Sequence, residues 1–177
     1  MDTKNKLLTS AERLFDQQGF NATSMDQLTE AAQMSSRTLY KHAGGKTGLV
    51  KQVLSARDKR FLQMIDVQSI DDLFEALKTW TRTEGARGCL FLRAYGETGS
   101  NTPEITDIVL SHKAAFHAQV ARLVTGTIGP DHPNLGTLTA QILVLIEGST
   151  AAAIYQGEDA ITAAHQAAST LIAQASA

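Results

Sequence analysis

The side chains best able to make polar contacts are concentrated in one short stretch of this sequence, MSSRTLYKHAGGKTG at 34–48. Serine, threonine, tyrosine, arginine, lysine and histidine fill most of it, and only Met34, Leu39 and Ala43 are apolar. The stretch also contains the letters G-K-T. It can be interpreted as a phosphate-binding loop of a nucleotide enzyme, as a solvated turn, or as a surface that lies against a charged partner.

The spacing of the glycines excludes the phosphate-binding loop. That loop follows a strand and has the pattern G-x-x-x-x-G-K-[ST]. Counting back from Gly45 and Lys46, its first glycine would fall at position 40, which is Tyr40. The preceding segment also has a helical pattern, so both requirements fail.

A short helix over 36–42 explains the stretch better. Leu39 is its clear inward residue, and Arg37, Tyr40 and Lys41 can share the outward side. Such a short helix is unstable alone and must be supported by its neighbours. A supported helix with many donors suits the DNA major groove, where hydroxyls and cations bind phosphates and a few side chains reach base edges. A solvated polar turn remains the alternative at this point.

The surrounding pattern predicts an all-α chain of about nine helices. Leu7, Ala11, Leu14 and Phe15 recur at helical spacing, and Gly19 ends that helix. A capping box, Ser24 to Gln27, starts a second helix, and a serine caps the short third helix. The spacing of the second and third helices is that of a helix-turn-helix, whose second helix enters the groove.

Charge and composition agree with two modules. The 177 residues have a net charge of −2, but residues 1–60 hold ten Lys/Arg against six Asp/Glu, whereas 61–177 hold six against twelve. A basic first third suggests one part that faces an anion and one with another task. A single cysteine excludes an internal disulfide framework, and no apolar run approaches the roughly 20 residues of a membrane helix. With no signal-peptide pattern at the N-terminus, the expected location is the cytoplasm.

The first fifty residues contain a set of short motifs that recur together in one family of proteins. They are Leu14-Phe15, Gly19-Phe20, Thr23-Ser24, Ser35, Thr38-Leu39-Tyr40, His42, Lys46 and Leu49. With these motifs the stretch resembles the N-terminal domain of the TetR (tetracycline-repressor) family of transcriptional regulators. The resemblance implies a helix-turn-helix DNA-binding domain at 1–50 and a helical ligand-binding and dimerisation domain at 51–177. Farther on, the similarity extends to length, helix count and the RGCLFL stretch at 87–92.

Two positions depart from that signature. The family usually has glycine in the turn between the two helices, and this chain has Gln33. A left-handed residue other than glycine costs roughly 1 kcal/mol there. The family usually has an aromatic residue after His42, and this chain has Ala43, so Met34, Phe15 and Phe20 must fill the space or leave the domain looser. Neither departure removes a donor from the outer face.

The resemblance also implies roles for individual side chains. Phosphate contacts are expected from the hydroxyls at the ends of the second and third helices and from the cations beside them, and base-edge contacts from the start of the third helix. The phosphate set is Thr23 or Ser24, Ser35, Tyr40, Lys41 and Lys46; the base-edge set is Ser36, Arg37 and His42, with Thr38 nearby.

The second module is expected to pair two copies and to sense a ligand. Apolar residues surround the penultimate helix, more than one side of a small monomer requires, and small residues line the last one. Both helices can simply complete the monomer core, but the resemblance implies that two copies pair through them. The predicted homodimer interface consists of Ile142, Leu143, Ile146, Ala164, Ala168, Leu171 and Ile172. The resemblance implies a small-molecule pocket, and the candidate residues are Phe61, Met64, Trp80, Phe91, Tyr95 and Phe116. An aromatic residue or a methionine at helical spacing is more often plain core than a pocket wall, and this alternative applies to each of the six.

The sequence has no recognisable nucleophile–base motif of an enzyme. His112 and His117 are five residues apart, not the four that align two metal ligands on one helix face, so no metal or other cofactor is expected. Cys89 is expected to be a small buried hydrophobe, with a redox-sensing thiol as the alternative. The sequence thus predicts a dimeric repressor that binds a palindromic DNA operator and is released by a small molecule. The first alternative is a DNA-binding regulator whose second module only dimerises or binds a protein partner, and the remote one is a Cys/His-dependent enzyme.

Overall fold

The computed structural model describes residues 3–98 and 102–176, and within those ranges it contains nine α-helices and no strand. The all-α prediction is therefore confirmed. The helices are α1 (Thr3–Gln18), α2 (Met25–Ala32), α3 (Ser36–Ala43), α4 (Lys46–Met64), α5 (Ile70–Glu84), α6 (Leu90–Thr98), α7 (Pro103–Ile128), α8 (Leu135–Gln156) and α9 (Glu158–Ala175).

These helices form two compact units, and neither unit is continuous in sequence. The first consists of the described parts of Met1–Arg60 and Leu90–His112, and the second of the described parts of Phe61–Cys89 and Lys113–Ala177. Both α4 and α7 contribute residues to each unit. The functional division into 1–50 and 51–177 remains a prediction.

The core of the first unit begins with the apolar stripe predicted for α1. Leu7, Ala11 and Phe15 are completely buried, and the Phe15 ring stacks on Phe20 with centroids 4.8 Å apart. Ala43, where the resemblance led us to expect an aromatic residue, is also buried. Burial of aromatic rings in contact is a main source of stability in a domain of this size.

Charged side chains tie α1 to α4 in the same unit. Arg57 Nη1 lies 2.8 Å and Arg60 Nη2 2.7 Å from the same oxygen, Glu12 Oε1, and Arg57 is 5% exposed. A buried ion pair adds little net stability because desolvation offsets the attraction. Its directional contacts do set the register of α4 against α1, and α4 begins beside α3.

The second unit packs α5, part of α7, α8 and α9 around one apolar cluster. Its buried members come from these four helices and from the C-terminal end of α4, and they include Phe61, Phe74, Val120, Ile142, Ile146, Ile161 and Ala168. Among the described helices, only α8 is long and apolar enough to cross a membrane by composition, and a third of its apolar window is buried. That is weak evidence by itself, because core helices of water-soluble proteins have the same composition.

Candidate nucleic-acid interface

The turn between α2 and α3 is defined by backbone and side-chain hydrogen bonds. The predicted capping box is present: Gln27 N donates to Ser24 Oγ at 3.1 Å, and Ser24 N donates to Gln27 Oε1 at 2.8 Å. At its other end, α2 stops at Gln33, which has a left-handed backbone with φ 53° and ψ 50°. The amide of Met34 then donates to Thr29 O at 3.0 Å and closes the turn.

Ser35 starts α3 and uses its hydroxyl to do so. Ser35 Oγ accepts from the Thr38 amide at 3.2 Å and lies 2.9 Å from Thr38 Oγ1. The Thr38 hydroxyl is therefore engaged in capping, which orients the first turn of α3. Ser36 follows without such a contact and is exposed.

The inner and outer faces of α3 differ sharply in burial. Leu39 is completely buried and Ala43 is 6% exposed, so they fix the helix to the unit behind it. On the opposite face, Arg37, Tyr40 and Lys41 are exposed, and Tyr40 is 54% exposed although it is a large aromatic residue. His42 is half-buried, and its carbonyl accepts from Gln52 Nε2 of α4 at 3.0 Å. The arrangement holds a row of donors outward on a braced helix.

Lys46 lies at the start of α4 and contacts the loop between α1 and α2. Its Nζ donates to Asn21 O at 3.3 Å. Asn21 is held in turn by α6: its backbone amide donates to Glu97 Oε2 at 2.8 Å, and its Nδ2 donates to Glu97 O at 2.6 Å. Sequence reasoning did not identify Asn21 or Glu97, because they are 76 residues apart and neither belongs to a recognisable motif.

Thr23 corrects the predicted phosphate set. Its side chain is completely buried, and its hydroxyl donates to Gly19 O at 2.6 Å. It therefore stabilises the α1–α2 loop and cannot reach a phosphate through its side chain. Ser24, the alternative at this end, is exposed.

Gly48 is another residue that sequence reasoning missed. It lies in the first turn of α4, and a Cβ built on it would be 1.9 Å from the carbonyl oxygen of Ala43, the last residue of α3. Only glycine permits this approach. The pair Gly44-Gly45 makes the bend between the two helices, with φ 69° and 123°.

Four of the six predicted pocket residues belong to the second unit and two to the first. Phe61 contacts Trp80 and Phe116 edge-to-face, with ring centroids 5.2 and 5.3 Å apart, and Met64 packs against the same cluster of the second unit. The other two belong to the first unit. In the first unit, the Phe91 ring stacks on the ring of the buried His112, with centroids 3.6 Å apart, and Tyr95 is 42% exposed.

The predicted dimer residues are mostly turned inward. Ile142, Ile146, Ala164 and Ala168 are between 0% and 6% exposed and belong to the core of the second unit. The homodimer interface stays a prediction. Leu143, Leu171 and Ile172 are partly buried against that core. Because α8 is apolar on nearly all sides, the sequence alone does not show which side of this helix faces the core.

A different side of α8 is exposed and apolar. Val144 is 71% and Tyr155 76% exposed, about three helical turns apart, with Ala140 and Ala151 exposed on the same side. Beside them a shallow groove of about 540 Å³ is lined by Thr137, Ala140, Gln141, Val144, Leu145 and Leu171. We call this exposed side of α8 and its groove the α8 face.

The side chains that could support catalysis or metal binding are scattered. Among the described residues, no group of three or more His, Cys, Asp or Glu side chains could hold a metal ion. Cys89 is partly exposed, contrary to the expected burial, and Lys113 Nζ lies 3.5 Å from its Sγ. Lys113 itself donates to Glu147 Oε1 at 2.6 Å, since a cation prefers the carboxylate to a thiol.

Comparisons with known proteins agree on one family. Residues 7–53 match the family described as "Bacterial regulatory proteins, tetR family". The chain is 26% identical over 140 residues to the HTH-type transcriptional regulator TcmR of Streptomyces glaucescens, covering 73% of this chain and 62% of that protein. It is 22% identical over 139 residues to the regulator UidR of Escherichia coli, covering 73% and 70%. The chain thus spans less than two thirds of the first of these relatives.

Solved structures show the same fold. A TetR-family transcriptional regulator from Streptomyces coelicolor superposes with a TM-score of 0.89 at 22% identity, covering 99% of this chain and 96% of that one. A TetR transcriptional regulator from Legionella pneumophila superposes with a TM-score of 0.81 at 21% identity, covering 97% of both chains. With the helix-turn-helix geometry of α2 and α3, these matches identify residues 7–53 as a TetR-family DNA-binding domain, and the described chain as a whole shares the fold of TetR-family transcriptional regulators.

Proposed function

We propose that this protein is a DNA-binding repressor that acts as a homodimer on a two-fold symmetric operator and is released by a small molecule. The observation that carries the proposal is the exposed face of α3, formed by Ser36, Arg37, Tyr40 and Lys41, on a helix fixed from behind by Leu39. A helix presented in this way fits the major groove. The cytoplasm is the compartment in which such a regulator would work.

The proposed DNA contacts fall into two classes, base-edge contacts and phosphate contacts, according to the functional group of each side chain. Arg37, in the first turn of α3, is positioned to read a base edge, because arginine can bind guanine through two hydrogen bonds. Ser36 and His42 are assigned to base edges beside it. Tyr40, Lys41 and Lys46 are assigned to phosphates, together with the exposed hydroxyls of Ser24 and Ser35. Phosphate contacts supply salt-dependent affinity, and base contacts supply sequence preference.

Arg37→Ala and Lys46→Ala are expected to have different effects on DNA binding. The first should relax preference at one base pair of each half-site, at a cost of about 1–3 kcal/mol for the preferred sequence. The second should weaken all sequences alike and reduce the slope of log affinity against log salt by about 0.9 for each head. Selection of bound duplexes from a random pool, followed by titration at several salt concentrations, measures both. An unchanged sequence profile for Arg37→Ala would show that this arginine does not read the site.

Dimerisation is supported by the α8 face. A surface that exposes Val144 and Tyr155 beside an apolar groove is costly in water, and a two-fold pair would cover it on both copies. Pairing also places two α3 helices on successive turns of the duplex, about 34–36 Å apart. The interface that we propose is therefore the α8 face together with Leu171, and not the buried residues predicted from the sequence.

Release by a ligand is supported by the similarity to TetR-family regulators and by the cluster of Phe61, Trp80 and Phe116 in the second unit. A ligand releases DNA when it binds the DNA-incompetent state more tightly. The contacts between these rings favour one alternative, in which they are simply core and the second unit only dimerises or binds a protein partner. Screening small molecules for a shift in melting temperature, with loss of operator binding, separates the two.

A further inference from the structure

Gln33 has an unusual backbone conformation. Among the described residues, it is the only non-glycine residue with a positive φ, 53°, at the point where α2 ends and the turn to α3 begins. Glycine adopts this conformation at little cost, and the TetR signature has glycine here. A glutamine in this conformation therefore strains the backbone and lowers the stability of the turn.

The Gln33 side chain binds a cation from α1. Lys6 Nζ donates to Gln33 Oε1 at 2.6 Å, across 27 residues of sequence. Gln33 precedes Ser35, the N-cap of α3, by two positions, so the contact brings the Lys6 ammonium to the turn that leads into α3. The partner is a neutral amide, and the positive charge is oriented without being neutralised.

Lys4 and Lys6 both lie near the N-terminal end of α1, and Asp2 is the one acidic residue that precedes them in the sequence. Cations near a helix N-terminus oppose the helix dipole. A phosphate close to Lys6 would offset this repulsion.

We propose that Lys6 contacts a DNA phosphate beside the N-terminus of α3, and that Gln33 is the positioning residue that holds its ammonium there. The proposal rests on the DNA binding proposed above and adds a contact from α1 to it. The N-terminal end of the recognition helix is the end inserted toward the bases, so the turn before it runs along the phosphate backbone. A lysine held at that turn meets the phosphates as the helix enters the groove, and phosphate is the anion that offsets its charge.

Titration of the full-length protein with its selected operator, at several salt concentrations, tests the assignment of Lys6. Lys6→Ala should reduce the slope of log affinity against log salt by about 0.9 for each head, and Lys6→Arg should retain it. Lys59→Ala is the matched control, because Lys59 is an exposed lysine on α4 in the same unit and should leave the slope unaltered. A slope for Lys6→Ala equal to those of the wild type and Lys59→Ala would overturn the proposal.

Two substitutions of Gln33 test its positioning role. Gln33→Met keeps the length of the side chain but removes the accepting oxygen. It should weaken operator binding about two- to tenfold when Lys6 is present and have no effect in the Lys6→Ala background. Gln33→Gly should raise the melting temperature while it weakens binding, because it relieves the backbone and releases Lys6. A merely structural role predicts that stability and affinity move together, and that result would exclude Gln33 as a positioning residue.

Failure of the proposed DNA binding and failure of the proposed Lys6 contact give different results. If the wild-type protein binds no duplex more tightly than a neutral polymer at low salt, the proposed DNA binding is wrong and this contact is wrong with it. If the wild type binds its operator with a steep salt dependence and Lys6→Ala behaves identically, only the present inference is wrong.

Discussion

Replacing Gly48 by alanine is expected to disrupt the junction between α3 and α4 and to remove most operator binding. The added Cβ would lie 1.9 Å from Ala43 O and 3.1 Å from Ala43 C, and both are backbone atoms that cannot rotate away. Either α3 or the start of α4 must move. α3 carries Arg37 and the other proposed reading residues, and the start of α4 carries Lys46. We expect destabilisation of about 1–3 kcal/mol or more, as in other overpacked sites.

The loss of DNA binding should exceed what stability alone explains. A displaced α3 cannot make the contacts of Arg37, each worth about 1–3 kcal/mol, even in molecules that remain folded. Thermal unfolding and operator titration of the same preparations measure the two effects. Gly96→Ala is the matched control, because Gly96 is an exposed helical glycine of the same unit with no atom within 4 Å of the position that a methyl group would occupy. That control should be neutral or more stable by about 0.5–1 kcal/mol. Wild-type melting and affinity in Gly48→Ala would refute the role of this glycine.

Val144→Asp is expected to convert the proposed homodimer into monomers of 19.0 kDa and to lower operator affinity by about 10²–10⁴-fold. Val144 is 71% exposed at the edge of the groove on α8, so the single chain tolerates an aspartate there. A two-fold interface would bury two such carboxylates close together, at a cost that pairing cannot recover. Each monomer would then bind a half-site alone, without the second head.

Mass measurement in solution and titration with the full operator and with a half-site check this prediction. Ala118→Asp, on the exposed side of α7 in the same unit, adds the same charge away from α8 and should leave the dimer intact. Ile142→Ala tests whether Ile142 belongs to the core of a single chain, as in the structure, or to the dimer interface, as predicted from the sequence. Because Ile142 is completely buried in the core, this variant should lose about 2–5 kcal/mol of stability. A dimeric Val144→Asp protein would mean that the copies pair elsewhere.

Several features of the first unit were predictable because they depend on residues that are close together in the sequence. The stripe of Leu7, Ala11 and Phe15 marks the inner side of α1, since polar residues occupy the other sides. The capping box at Ser24 and the inward Leu39 follow from local hydrogen bonding and helical spacing. The family signature also lies within this contiguous stretch, so the helix-turn-helix and its outward donors could be identified from the order of residues alone.

Only the tertiary structure decided the features that depend on contacts between distant residues or on close backbone approach. The burial of Thr23, the contact between Asn21 and Glu97, and the approach of Gly48 to Ala43 leave no periodic signal. The same is true of α8, where apolar residues lie on both sides and spacing cannot choose between them. The sequence determined the local helices and the donors that α3 presents, because capping and periodicity act over a few residues. The tertiary structure determined which apolar side is core and which side chains are positioned by another helix, because packing selects among sides that local propensity leaves equivalent.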